Sequence, residues 1–206
     1  MPSITHFDIY KPAEPCSLTG EKLHQTMNKV ILECLSKDGR ELNLKGYCIG
    51  PNGISVLSVD QRLSKVKRLN LGGNRIGDTG AAHLADSELF SKVNWLELGG
   101  NDIGPEGVKI LIASRVLAKV KTLNLYRNFL KNEGAIILAE KNRLEKLEEL
   151  DIAQNEIGDE GILALSDSTR FPNLVAVYAD NNFGSIEAQE EAREGLNFKK
   201  LQSLNL

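Results

Sequence analysis

The sequence predicts a curved α/β solenoid, with a parallel β-sheet on the concave side and helices on the convex side, because three features recur at one spacing. Asparagines stand at Asn74, Asn101, Asn128, Asn155 and Asn182, four successive steps of 27 residues. Ahead of them come apolar pairs two residues apart: Leu69 and Leu71, Leu96 and Leu98, Leu123 and Leu125, Leu150 and Ile152, Val177 and Ala179. After three of them comes a glycine-bracketed stretch: Ile76-Gly77-Asp78-Thr79-Gly80, Ile103-Gly104-Pro105-Glu106-Gly107 and Ile157-Gly158-Asp159-Glu160-Gly161. A fixed period of this length marks stacked supersecondary units.

Each piece of the unit has a physical reason. In a short strand, successive side chains face opposite ways, so Leu69 and Leu71 point to one wall and Asn70 to the other. Copies stacked edge to edge bury the leucine wall against helices and leave the other wall open. Asn74 follows the strand, where the chain must bend, and its amide can satisfy main-chain groups that neither strand nor helix pairs. The five asparagines are therefore expected to form a structural ladder. The glycine-bracketed stretches read as helix starts: glycine allows the turn, Pro105 suits a first helical position, and acidic residues favour the positive end of the helix dipole. Leu84, Leu111, Leu138 and Leu165 keep the helices in phase.

The stretch Val66 to Asn74 and its copies resemble the leucine-rich repeat family, whose signature L-x-x-L-x-L-x-x-N is matched position by position. Strand, turn, helix and return in 27 residues is similar to the ribonuclease-inhibitor-like subclass. The resemblance covers nearly the whole chain. It implies a non-catalytic scaffold that recognises a macromolecular partner, since such repeats mostly serve recognition. Related arrays occur in intracellular eukaryotic receptors and regulators, and in effectors that intracellular bacteria inject into hosts. The Ran GTPase-activating proteins look like this fold, so a regulator of a small GTPase is an alternative, by analogy alone. A self-assembling structural repeat fragment is another.

Along the chain, residues 1–38 are expected to be an N-terminal cap. Ile4, Phe7 and Ile9 repeat the strand spacing, with Asp8 on the open face, and the prolines between Lys11 and Pro15 force a loop. Leu23, Met27, Val30, Ile31 and Cys34 then keep helical spacing. Residues 39–206 are expected to hold six repeats and a terminal strand, in one continuous solenoid with the cap. Tyr47 takes the asparagine position in the first repeat, and Lys131 replaces the first glycine in the fourth. The sixth has Ala188 and Ala192 where leucines stood, which predicts the weakest packing. Leu201 to Leu206 reads as a seventh strand without a covering helix. A truncated fragment, an edge that meets a partner, and self-association through the uncapped C-terminal edge stay open there.

Bulk properties narrow the function. With 206 residues, 26% charged and 5% aromatic, one domain is enough. A net charge of -3 argues against nucleic acid or an anionic membrane as partner. No run of 18 apolar residues suggests a membrane span, and Met1 to Tyr10 lacks the features of a signal peptide. An odd number of cysteines, Cys16, Cys34 and Cys48, points to thiols in a reducing compartment, hence the cytoplasm or, for an effector, a host cell.

The sequence offers little catalytic chemistry, and no cofactor or metal is expected. Gly72-Gly73-Asn74-Arg75-Ile76-Gly77 is glycine-rich, but its spacing fits neither common phosphate loop, and Gly99-Gly100-Asn101 nearly copies it. His6, His24 and His83 make no zinc spacing with the cysteines. Glu149 and Asp151 share the open face about 7 Å apart, but no third group or pocket is indicated for acid–base work.

The open face is the better candidate. Its central column runs Asp8, Asn43, Asn70, Glu97, Asn124, Asp151, Tyr178, Asn205. One flank runs His6, Glu41, Arg68, Trp95, Thr122, Glu149, Ala176, Ser203, and the other Lys45, Gly72, Gly99, Tyr126, Ala153, Asp180. The one tryptophan and two of the four tyrosines, Tyr126 and Tyr178, fall on this wall. Aromatics and arginine dominate binding hot spots. Gly72 and Gly99 predict a flat floor beside Trp95, and Glu97, Glu149, Asp151 and Asp180 an acidic rim that favours a protein with a basic surface. The partner-binding residues expected are Arg68, Trp95, Glu97, Asn124, Tyr126, Glu149, Asp151, Tyr178 and Asp180.

Overall fold

Three residues of each copy take strand geometry: β1 Glu41–Asn43, β2 Arg68–Asn70, β3 Trp95–Glu97, β4 Thr122–Asn124, β5 Glu149–Asp151, β6 Ala176–Tyr178 and β7 Ser203–Asn205. All seven pair in parallel, in chain order, as one sheet. The computed structural model describes residues 15–206, so the strand expected at Ile4 to Tyr10, with His6 and Asp8, lies outside the described residues. Register advances by one repeat per strand. Leu42, Leu69, Leu96, Leu123, Leu150, Val177 and Leu204 therefore form a single row.

Helices cover the other side: α1 Gly20–Cys34, α2 Gly50–Leu57, α3 Gly77–Asp86, α4 Pro105–Ala113, α5 Lys131–Lys141, α6 Asp159–Ser166 and α7 Ile186–Arg193. The core is a stack of rows. Leu57, Leu84, Leu111, Leu138 and Leu165 come from the helices, and Leu44, Leu71, Leu98, Leu125 and Ile152 from the strand ends, all buried. A further buried row, at the same 27-residue step, runs under the return turns as Leu63, Phe90, Leu117, Leu144, Phe171 and Phe198. Helix α7 buries only Ala188 and Ala192.

Polar ladders tie the copies together. Asn128 is typical: its Oδ1 accepts the main-chain N–H groups of Asn101 (3.0 Å) and Ile103 (2.9 Å), and its Nδ2 donates to the carbonyls of Leu98 (3.0 Å) and Leu125 (2.9 Å). Asn74, Asn101, Asn155 and Asn182 donate in the same way to Leu44, Leu71, Leu125 and Ile152, each 30 residues back. A second ladder joins the helix starts. Asp78 accepts the Gly104 N–H at 2.7 Å, Asn132 the Gly158 N–H at 2.7 Å and Asp159 the Ser185 N–H at 2.6 Å. The acidic residues read as dipole partners of their own helix thus also satisfy the orphan donors of the next one. A third runs along the helix ends, where Ser87, Ser114 and Ser168 donate to the carbonyls of Ser58, Ala85 and Ala139, each at 2.6 Å.

The departures from the repeat have local reasons. Gly77 enters α3 with φ +58, and Lys131 at the equivalent place adopts φ +56, a left-handed conformation unfavourable for a side chain. At the start of the described solenoid, α1 turns directly back into β1 through an antiparallel bridge from Leu35 to Leu42. There the Cys16 N–H donates to the Cys48 carbonyl at 2.7 Å, and the two Sγ atoms lie 2.6 Å apart. Sequence spacing alone gave no hint of that proximity.

Candidate functional site

The strand register places Arg68, Trp95, Thr122, Glu149, Ala176 and Ser203 in one row of the concave face and Asn70, Glu97, Asn124, Asp151, Tyr178 and Asn205 in the next. The central row is tied to its own turns. Asn70 accepts the Gly72 N–H at 3.1 Å, Glu97 the Gly99 N–H at 2.7 Å, Asn124 the Tyr126 N–H at 2.7 Å, and Asp151 the Ala153 N–H at 3.1 Å. Asn124 also donates across the sheet to Asp151 Oδ2 at 3.0 Å. These side chains therefore close the strand ends as well as face outward.

That bonding corrects the expected flat floor at Gly99. A Cβ there would meet Glu97 Oε1 at 2.8 Å and the Tyr126 carbonyl at 3.2 Å, so the space is taken by the folded-over glutamate. Ala153 and Ala176 are buried and offer the face no side chain. Trp95 is half-buried rather than bare, with the Arg68 guanidinium 4.3 Å from its ring centroid. Arg68 Nε in turn sits 4.0 Å from Glu41 Oε1.

The electrostatics of the central row are unfavourable to charge. Burial pushes the Glu97 carboxyl above the usual carboxylate range; the Gly99 N–H and Lys45 counter it, while Asp151 adds to it. Asp151 is likewise raised, by burial first and then by Asp180, against the pull of the Ala153 N–H and Asn124. Both are half-buried, and among the described residues neither has a cation in ion-pair contact.

A shallow hollow of about 420 Å³ gathers Glu97, Asn124, Tyr126 and Asp151 with Lys45, Asn70 and Arg127. Tyr126 is 38% exposed on its wall. Trp95 and Glu149 stand in the neighbouring row, and Tyr178 and Asp180 lie farther along the sheet. Asp180 accepts from Asn181 at 2.5 Å, and Glu149 from Thr122 at 3.5 Å. The sequence reading did not nominate Lys45 and Arg127, although the 27-residue step puts Lys45 in the Gly72 column. Among the described residues no three His, Cys, Asp or Glu side chains form a metal-binding group, and no helix is long and apolar enough to cross a membrane.

Comparison with known proteins agrees with this architecture. A sequence family described as Leucine Rich repeat matches residues 62–85, 93–111 and 143–166. An internalin from Listeria monocytogenes is similar in structure, with a TM-score of 0.50 and 22% identity over 74% of this chain. The matched part is 37% of the internalin, so this chain spans well under half of that neighbour's length. No curated protein matches the chain by sequence. Repeats recognised at three places, within a solenoid whose strands and asparagines step by the same 27 residues, make this chain a leucine-rich repeat protein.

Proposed function

We propose that the concave face is a protein-binding surface, in which Trp95 and Tyr126 anchor the partner while Glu97 and Asp151 receive one of its basic side chains. The observation that carries this reading is the pairing of accessible aromatics with two carboxylates whose charge is poorly solvated. Among the described residues no ion pair involves these carboxylates. A lysine or arginine brought into the hollow would supply one in a partly dehydrated setting, where charge-assisted bonds are strongest.

The aromatics supply the area. Arg68 above Trp95 holds a flat cationic and aromatic stack ready for contact, and such anchors are worth about 2 kcal/mol or more at interfaces. Glu149, Tyr178 and Asp180 extend the contact along the sheet. This is a scaffold reading that assigns no reaction to the chain.

The test is affinity capture from a cell lysate with wild type, Trp95→Ala and Tyr126→Ala, alongside thermal melts. Loss of the same captured protein from both variants, with little change in melting temperature, is the expected result. Retention of the partner by both variants counts against the reading, and so does unfolding of either.

A further inference from the structure

A different surface carries a charge pattern unrelated to the concave face. Lys65, Lys92, Lys119 and Lys146 stand at successive 27-residue steps where the return turns lead into the strands. Three of them join Lys67 and Lys121 around the same edge, and a hollow of about 410 Å³ is lined by Lys67, Lys92, Lys119, Lys121, Lys146 and Asn94 alone. All five lysines are exposed, and no lining residue is acidic. The volume falls within the range of small-ligand sites.

The fold does not require these charges. Lys92 donates to the Ser64 carbonyl at 2.9 Å, one copy back, but at the corresponding position Asn173 donates to the Glu145 carbonyl at 2.7 Å with a neutral amide. Asn94 likewise holds the place that Lys67 and Lys121 occupy in neighbouring copies. Lys121 has an ion-pair partner, Glu148, at 2.6 Å; among the described residues no ion pair involves Lys67, Lys92, Lys119 or Lys146. Rows one strand apart are separated by about 4.8 Å, so like charges gathered there repel one another. The chain as a whole is acidic, at -3, so the hollow is a local concentration of positive charge. Averaging over the chain hides it.

We propose that this lysine hollow binds a compact polyphosphate, an anion bearing several closely spaced phosphate groups, free or as a phosphorylated lipid headgroup. Five lysines from adjacent copies around one hollow match the closely spaced charges of such a ligand, and each lysine can donate up to three hydrogen bonds to phosphate oxygens. No aromatic side chain lines the hollow for base stacking, which favours a phosphate cluster over single-stranded nucleic acid.

Calorimetric titration of the full chain with inorganic tripolyphosphate, at about 0.1 M salt where long-range attraction is screened, tests this. Saturable binding is expected, and Lys67→Gln with Lys119→Gln should weaken it about tenfold while the melting temperature without ligand is unchanged. Flotation with phosphatidylcholine vesicles, with and without a phosphorylated phosphatidylinositol, assigns the source. Vesicle binding lost in the double variant identifies a headgroup, and tripolyphosphate binding without it identifies a free ligand. Three results overturn the proposal: absence of binding in both arms, equal binding by wild type and double variant, or tighter capture of a single-stranded oligonucleotide than of tripolyphosphate.

Discussion

Replacing Asn128 by alanine tests the physical link on which the solenoid depends. The side chain is 3% exposed, so water has little access to the groups it serves. Truncation strips the acceptor from the Asn101 and Ile103 N–H groups and the donor from the Leu98 and Leu125 carbonyls. An orphaned buried N–H costs about 1–2 kcal/mol, and a carbonyl with a second lone pair costs less, so the expected loss is about 3–5 kcal/mol. Urea unfolding, followed by circular dichroism and by the fluorescence of the single tryptophan, Trp95, measures it. The exposed Asn28→Ala, in the middle of α1, is the control and should not lower stability by more than about 0.5 kcal/mol. A loss below about 1 kcal/mol for Asn128→Ala would show that water replaces the amide readily and that the ladder adds little.

Leu123→Ala opens a hole in the inner row of β4, where the side chain is 1% exposed, and should lower stability by about 2–5 kcal/mol in the same unfolding experiment without altering partner capture at subsaturating urea. Gly107→Ala places a Cβ against Asp78 Oδ1 and 2.8 Å from Ile103 Cγ2, so it should cost about 2 kcal/mol or more and weaken the Asp78 bond to Gly104. Glu97→Gln bears on pH. Because the folded-state pKa of Glu97 is raised, its protonated form favours folding, and wild type loses that contribution as pH rises from about 4.3 through the folded value. Urea midpoints of wild type and Glu97→Gln should therefore converge in acid and separate towards neutral pH, with the variant more stable; a gap that widens in acid would refute the assignment.

Much of this architecture was legible because the period is exact. Once Leu69, Asn70 and Leu71 are assigned to a strand, a step of 27 residues assigns their equivalents, and the observed pairing of Asn70 with Glu97 and Asn124 with Asp151 follows that step. What the period could not convey is how a side chain curls. Glu97 belongs to the outward set, yet its carboxylate turns back to the Gly99 N–H and fills the space that two glycines implied was empty. Trp95 lies on the expected wall, but Arg68, also on that wall, stacks on it; a register lists neighbours and not their rotamers. Cys16 and Cys48 meet where the segment before the repeats packs on the first copy, a contact that the spacing of the repeats does not specify. The serine ladder could have been found, since Ser87, Ser114 and Ser168 obey the same step.

The asparagine rungs connect residues 25, 27 and 30 positions apart. Removing one whole interior copy leaves every rung facing an equivalent mate, whereas removing a single residue beside a strand mismatches the rungs on both sides of the cut. Changes of length in such a chain are therefore quantised: a relative with one copy fewer or more should fold into the same coil, shortened or lengthened by one step.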